Sequence, residues 1–150
     1  MLTLTRRTEY ALIAVCHLAR VGRKVVSARD IAEQHAVPLP LLMNVLKRLN
    51  RTGHVTSVRG AHGGYVLAAP PDTITLMTLI EAVEGPLYLV RCASGGVSRR
   101  PCTRMDLCTI RHSVFKLHEQ LRKFLSGVTV ADIAFDETYG TAETTKVLAE

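Results

Sequence analysis

The stretch H-V-T-S-V-R-G-A-H-G-G-Y-V-L-A, residues 54–68, decides how the rest of the chain is read. Two short β-prone runs, 54–58 and 65–68, flank Arg59-Gly60-Ala61-His62-Gly63-Gly64. Strand, glycine-rich connection and strand in that order predict a small two-stranded wing. The sequence before it is helical. Residues 39–52 carry apolar side chains at helical spacing and stop at Gly53. Ahead of them S-A-R-D-I-A-E-Q-H reads as a helix capped by Ser27, with Asp30 suitably placed for the helix dipole. Ala36-Val37-Pro38 makes the tight turn between the two. Helix, turn, helix and then a wing is a winged helix-turn-helix.

Working outward, residues 2–21 form an expected first helix, with Leu4, Ala11, Leu12, Val15, Cys16, Leu18 and Ala19 recurring at helical spacing and Gly22 ending it. Cys16 on this apolar face reads as a small core residue. Pro70-Pro71 closes the module, and Thr75 caps a fourth helix, T-L-M-T-L-I-E-A-V-E-G. A long last helix begins near Cys108, where Ile110, Val114, Leu117, Leu121, Phe124, Leu125 and Val128 recur mostly in steps of three and four. Such a narrow seam on a terminal helix calls for a partner helix, and a symmetric homodimer built on residues 109–127 is expected. The expected fold is mainly α. Its parts are a winged helix-turn-helix over 1–71, a connecting helix and cysteine loop over 72–108, a dimerisation helix and end segment over 109–138, and a flexible tail over 139–150.

The 150 residues are 47% hydrophobic and 21% charged, enough apolar material for one domain-sized core. The opening M-L-T-L-T-R-R-T-E-Y sets two arginines and a glutamate beside the apolar run, unlike a secretory leader. No stretch approaches the ~18 uninterrupted apolar residues of a membrane span. A cytoplasmic location and no membrane partner are expected. Net charge is +6, unevenly spread: residues 1–70 hold ten Lys/Arg against three Asp/Glu, and residues 71–150 hold nine against ten. A basic half beside a near-neutral half fits a first half that meets a polyanion, here double-stranded DNA.

The second helix of the helix-turn-helix must bury Leu42, Val45, Leu46 and Leu49, which leaves Pro40, Leu41, Met43, Asn44 and Lys47 facing out. The N-terminal part of this helix is the part that enters a major groove. Asn44 suits a bidentate contact to adenine, and Leu41 and Met43 suit thymine methyls. Lys47, Arg48 and Arg51 lie where phosphate contact is expected. Arg59 and His62 on the wing suit an adjacent minor groove. Ser27 completes the expected DNA-contacting set.

Three of the four cysteines, Cys92, Cys102 and Cys108, fall in one stretch, C-A-S-G-G-V-S-R-R-P-C-T-R-M-D-L-C, without periodicity. A grouping of three plus one suits a metal or iron–sulfur centre better than a disulfide framework. Arg91, Arg99, Arg100 and Arg104 flank the cysteines and favour the thiolate, the form that ligates metal. Zinc sites usually show tight C-x₂₋₄-C pairs, which do not occur here. Three thiolates leave a cluster one ligand short. His112 follows Cys108 by four, one helical turn on, and Glu9 lies in T-E-Y of the first helix. No Ser/His/Asp motif, phosphate loop or C-x-x-C is recognisable, so no enzyme activity is expected.

The string V-T-S-V-R-G-A-H-G-G-Y-V-L-A at 55–68 resembles the wing of the IscR/NsrR/RirA-type winged-helix regulators of bacteria. So do the opening T-x-x-T-E-Y-A-L, D-I-A-E of the second helix, I-T-L-x-x-L-I-E-A-V-E-G at 74–85, and V-T-V-A-D-I near residue 130. The resemblance is co-linear over about nine-tenths of the chain. It implies a dimeric transcription factor, often a repressor, on a palindromic operator. In many members three loop cysteines hold an iron–sulfur cluster, 4Fe-4S or 2Fe-2S, that controls DNA affinity; by position these are Cys92, Cys102 and Cys108. Two departures stand out: the first cysteine gap holds nine residues where members with clusters usually have five to seven, and Met43 stands where iron–sulfur-biogenesis regulators commonly carry an acid. IscR-like members use a histidine three residues after the last cysteine, where this chain has Arg111. NsrR-like members take an acidic ligand from the partner subunit at the position of Glu9. Glu9 is therefore the preferred fourth ligand, with His112 the alternative.

The expected function is a homodimeric, cluster-controlled regulator sensing nitric oxide, redox state or iron supply. The alternative is a metal-free or zinc-bound regulator sensing thiol oxidation, for example at Cys102 and Cys108, or a small metabolite. No polar residue of the fourth helix stands out as a link to the loop, so coupling is expected through apolar packing of that helix on the last one.

Overall fold

The structure, a computed structural model, describes residues 4–90 and 107–135. Helix α1 spans Arg6–Val21 rather than starting at residue 2, because the Thr5 hydroxyl accepts the Thr8 N–H and turns the chain into the helix there. Gly22 ends it at φ 70°, a conformation glycine adopts freely. Helix α2 (Ala28–Gln34) is capped by Ser27, which accepts the Asp30 N–H at 3.1 Å. Ala36 takes a left-handed φ of 52° in the turn, and Val37 N–H reaches back to Ala32 O at 2.9 Å. Helix α3 (Leu39–Arg51) follows with a proline in its first turn, where no amide donor is missed.

The wing consists of antiparallel strands β1 (Val55–Val58) and β2 (Gly64–Leu67), in register from Val55 opposite Leu67 to Val58 opposite Gly64. It is tied to the helices at two points. Tyr65 and Val26 exchange backbone hydrogen bonds at 2.8 and 3.0 Å, and Asn50 Oδ1 accepts the Ser57 N–H at 3.1 Å. Gly64 is required by the first tie: a Cβ there would lie 2.2 Å from Val26 O.

Helix α4 (Leu76–Glu84) is capped by Thr75, as its sequence predicts, and ends at Gly85. Helix α5 spans Arg111–Gly127, three residues later than the expected start near Cys108. The segment that follows, for which the sequence predicts no element, forms helix α6 (Val130–Phe135). Thr129 and Asp132 make that start, with Asp132 Oδ2 accepting the Thr129 N–H at 2.7 Å and Thr129 Oγ1 accepting the Asp132 N–H at 3.1 Å. The chain thereby returns to the first module: Arg20 donates to Ala134 O, Leu76 N–H to Val128 O and Val130 N–H to Ile74 O.

One core joins these elements. Leu18, Ile31, Leu42, Leu46, Leu49 and Leu79 are its largest fully buried side chains, and Val130 and Ala134 of α6 belong to it. Cys16 is buried in the same core, as expected. Burial of each such leucine or isoleucine contributes about 1.5–3 kcal/mol. One part-buried polar pair borders the apolar packing: buried His17 has its Nδ1 3.1 Å from Nε2 of half-buried His35, with the rings edge to face.

Three measurements check this packing. Leu46→Ala is expected to lower the unfolding free energy by about 2–5 kcal/mol in urea melts; a loss below about 1 kcal/mol contradicts the placement of α3. Gly64→Ala should destabilise the chain by about 1–3 kcal/mol through the clash with Val26; a neutral effect contradicts the close approach. Burial pushes the His17 pKa down, His35 and Arg20 push the same way, and Asp30 opposes them. A base held neutral in the fold but free to protonate when unfolded stabilises above its unfolded pKa of about 6.5. That stability falls as pH drops from there through the lower folded value. The melting temperature should therefore decline on acidification from neutral pH, and the decline should be smaller in His17→Leu; equal slopes in both proteins contradict the assignment.

Candidate nucleic-acid interface and cysteine segment

Helix α3 presents two faces, as its periodicity requires. Leu42, Val45, Leu46 and Leu49 are buried, while Pro40, Leu41, Met43, Asn44, Lys47, Arg48 and Arg51 are exposed. Leu41 and Met43 keep 48% and 38% of their surface open, unusual exposure for apolar side chains on a helix with so complete a buried face. Arg59 and His62 are exposed at the tip of the wing. Ser27 is half-buried with its hydroxyl engaged as the α2 cap.

Beside α3 opens a cleft of about 530 Å³ lined by Arg6, Arg7, Tyr10, Leu41, Asn44, Lys47, Arg48 and Arg51, with Val45 and Val83 at its floor. It brings five cations together, and among the described residues lining it none is acidic. A polyanion relieves the mutual repulsion of such a group and gains several charge-assisted hydrogen bonds. Arg6, Arg7 and Tyr10 are absent from the sequence-predicted set. Their signal was the opening T-R-R-T-E-Y, whose two arginines carried no expected DNA contact.

Arg48 is placed differently from a freely exposed phosphate contact. Its Nη1 donates to the Val83 carbonyl at the end of α4, while the guanidinium also borders the cleft. The same turn of α4 makes two further polar ties. Glu81 pairs with Arg122 of α5 at 2.9 Å. The Glu84 carboxylate accepts from the hydroxyls of Thr5 and Thr8 at the start of α1, the latter at 3.3 Å. The last turn of α4 is thus bonded to α1, α3 and α5, so polar ties accompany the expected apolar packing of α4 on the last helix; a link to the cysteine loop itself lies outside the described residues.

Of the sensing residues, Cys92 and Cys102 lie outside the described residues. Cys108 is half-buried just ahead of α5, its carbonyl accepting the Arg111 N–H at 3.4 Å. Glu9, in the first turn of α1, and His112, in the first turn of α5, are both exposed, and neither forms an ion pair among the described residues. Among the described residues no three His, Cys, Asp or Glu side chains gather closely enough to hold a metal ion. Cys16 is set apart from the others, since burial pushes its thiol pKa up and Arg20 offsets this only in part. His118 of α5, which the sequence reading passed over, is buried between Tyr88 and Phe115, and its Nδ1 has no hydrogen-bond partner among the described residues.

A recognition helix with a cationic outer face, a basic wing tip and a helical extension define a DNA-binding regulator of the winged-helix class. The chain belongs to the Rrf2 family, described as iron-dependent transcriptional regulators, which it matches over residues 4–136. It is similar to the HTH-type transcriptional regulator NsrR of Bacillus licheniformis, 28% identical over 91% of this chain and 94% of that one. Among solved structures it is similar to IscR of T. potens, with 28% identity, 97% and 96% coverage and a TM-score of 0.67. It is also similar to CymR, the global cysteine regulator of B. subtilis, with 27% identity, 89% and 97% coverage and a TM-score of 0.68. The fold and family expected from the wing are thereby established.

Each phosphate contact adds about 0.9 to the slope of log affinity against log salt. Lys47→Ala and Arg6→Ala should each weaken binding to a random-sequence duplex and lower that slope by about 1. Unchanged affinity and slope in both variants contradict the cleft as the phosphate-binding surface.

Proposed function

We propose that the chain is a homodimeric transcriptional repressor whose DNA affinity is set by an iron–sulfur cluster held by Cys92, Cys102 and Cys108. The observation that carries this reading is the joining of the cationic α3 face, through the bonded last turn of α4, to the segment holding those three cysteines. The N-terminal part of α3, with Pro40, Leu41, Met43 and Asn44, reads base edges. Lys47, Arg51, Arg6 and Arg7 hold phosphates, Arg59 and His62 reach the minor groove, and Ser27 orients α2 through its cap.

The donor chemistry fits the cluster. Cys108 is only half-buried and lies at the foot of α5, and Glu9 and His112 are exposed candidates for the fourth position. Three thiolates with one carboxylate or imidazole are ligands that iron–sulfur centres accept. When bound, the cluster supplies a link between helices that nitric oxide, oxidant or iron shortage removes. The description of the family as iron-dependent supports this reading.

The dimer rests on α5. The apolar seam expected from the sequence is divided in the structure. Val114, Leu121 and Leu125 are half-buried and Val128 is buried, whereas Ile110, Leu117 and Phe124 stand 62%, 55% and 61% exposed. Those three are spaced by seven, and Phe115 is 46% exposed beside them. A heptad-spaced apolar stripe left open on one protomer fits the same stripe of a second copy.

A second reading is a metal-free thiol switch, favoured by the likeness to CymR. Peroxide would take Cys102 and Cys108 to a disulfide, two thiols and one hydrogen peroxide giving one disulfide and two waters.

Protein purified without oxygen should be brown and contain iron and acid-labile sulfide. Colour should be lost in Cys92→Ala, Cys102→Ala or Cys108→Ala and kept in Cys16→Ala. Colourless wild-type protein lacking both elements sinks the cluster reading in favour of the thiol switch. Retention of a normal cluster in Glu9→Ala together with its loss in His112→Ala would reverse the choice of fourth ligand. Phe124→Asp should convert the dimer to monomer in sedimentation, and an unchanged dimer contradicts the α5 interface.

A further inference from the structure

The end of a helix leaves its last carbonyls without intrahelical partners and carries the negative pole of the helix dipole. At the end of α4 one of these carbonyls, Val83 O, is capped by Arg48 from α3. The cap is supplied across the fold, 35 residues away in sequence, by the helix that faces DNA. Among the described residues it is the one side-chain hydrogen bond between α4's last turn and α3, since Glu84 reaches α1 and Glu81 reaches α5. Arg48 also borders the cleft with Arg6, Arg7, Lys47 and Arg51. Its guanidinium is thus held between two electrostatic demands, the carbonyl pole of α4 and the phosphate-binding cleft.

Resting on the reading of the cysteine segment as the sensor, we propose that Arg48 is a positioning residue that carries movement of the α4 C-terminus to the recognition helix. When the end of α4 moves, the guanidinium either follows the Val83 carbonyl, which changes its place beside α3 and the cleft, or loses the hydrogen bond. Helix α3 is packed through four buried side chains, so it answers such a displacement as a rigid body rather than by bending. Gly85, the first residue beyond α4, has a positive φ of 91° and lets the chain change direction there. A rearrangement beyond Gly85 therefore reaches α3 through Val83 and Arg48.

The test compares DNA affinity of the full-length protein in two states, with iron and sulfide restored and after iron chelation, on a duplex that the wild type has selected from a random pool. Wild-type affinities in the two states should differ at least about fivefold. In Arg48→Met the ratio should collapse to within about twofold. Lys47→Met should weaken both states together and keep the ratio, as the loss of a simple phosphate contact does. Arg48→Lys, which keeps a cation and an N–H donor, should restore part of the ratio. A preserved ratio in Arg48→Met overturns this proposal alone; a wild-type ratio of one overturns the sensing reading and this proposal with it. A second measurement is independent of cluster and DNA. In iron-free protein, amide exchange across residues 83–87 should be at least about fivefold faster in Arg48→Met than in wild type, with circular dichroism unchanged. Equal exchange overturns the cap.

Discussion

Burial of one face of α3 is the constraint on which the rest of the molecule depends. Leu42, Val45, Leu46 and Leu49 occupy successive turns and face inward onto α1 and α2. With those four positions fixed, helical geometry forces Leu41, Asn44, Lys47 and Arg51 outward. The cationic cleft is therefore a consequence of packing: the α3 side chains that line it stand on a helix whose orientation the core dictates. The wing inherits its position from the same helix, through the Asn50 to Ser57 hydrogen bond, and from the α1–α2 connection, through Val26 and Tyr65.

The last turn of α4 is the second organising element. Its apolar side sits in the core with Leu79 and Val83, while Glu81, Glu84 and the Val83 carbonyl reach three different helices. Thr8, whose hydroxyl meets Glu84, is itself fully buried, so the inner end of this polar network is held in the core while Glu84 and Thr5 remain open to water. These bonds lie between the winged helix and the chain leading to the cysteine segment, and under the proposed function they are the route by which one reports on the other.

Much of this was legible in the sequence, and the reasons are local. The burial pattern of α3 follows from its period, and Ser27, Thr75 and Gly22 mark helix ends because a side-chain oxygen or a glycine solves a problem of the backbone at that residue. The start of α1 was misplaced because Leu2 and Leu4 continue the apolar spacing, whereas the Thr5 hydroxyl competes for an amide and begins the helix at Arg6. Helix α6 was missed although Thr129 and Asp132 carry a capping pattern; six residues are too few for periodicity to stand out. The tie from Arg48 to Val83 could not be read, because its acceptor is a backbone carbonyl and every residue has one. The His17–His35 pair and the partition of the α5 seam depend on tertiary neighbours that no spacing encodes. At the candidate site, the exposed face of α3 was legible for the same periodic reason, while Arg6 and Arg7 joined it only once α1 was laid beside α3.

The proposed dependence is that of DNA affinity on the state of the cysteine segment. It is tested most directly in a single anaerobic cuvette, where the visible absorbance of the protein and the fluorescence anisotropy of a bound labelled duplex are followed together while nitric oxide is added. Absorbance and anisotropy should change in parallel and finish at the same ratio of nitric oxide to protein. Anisotropy that stays constant while the absorbance is bleached would contradict it.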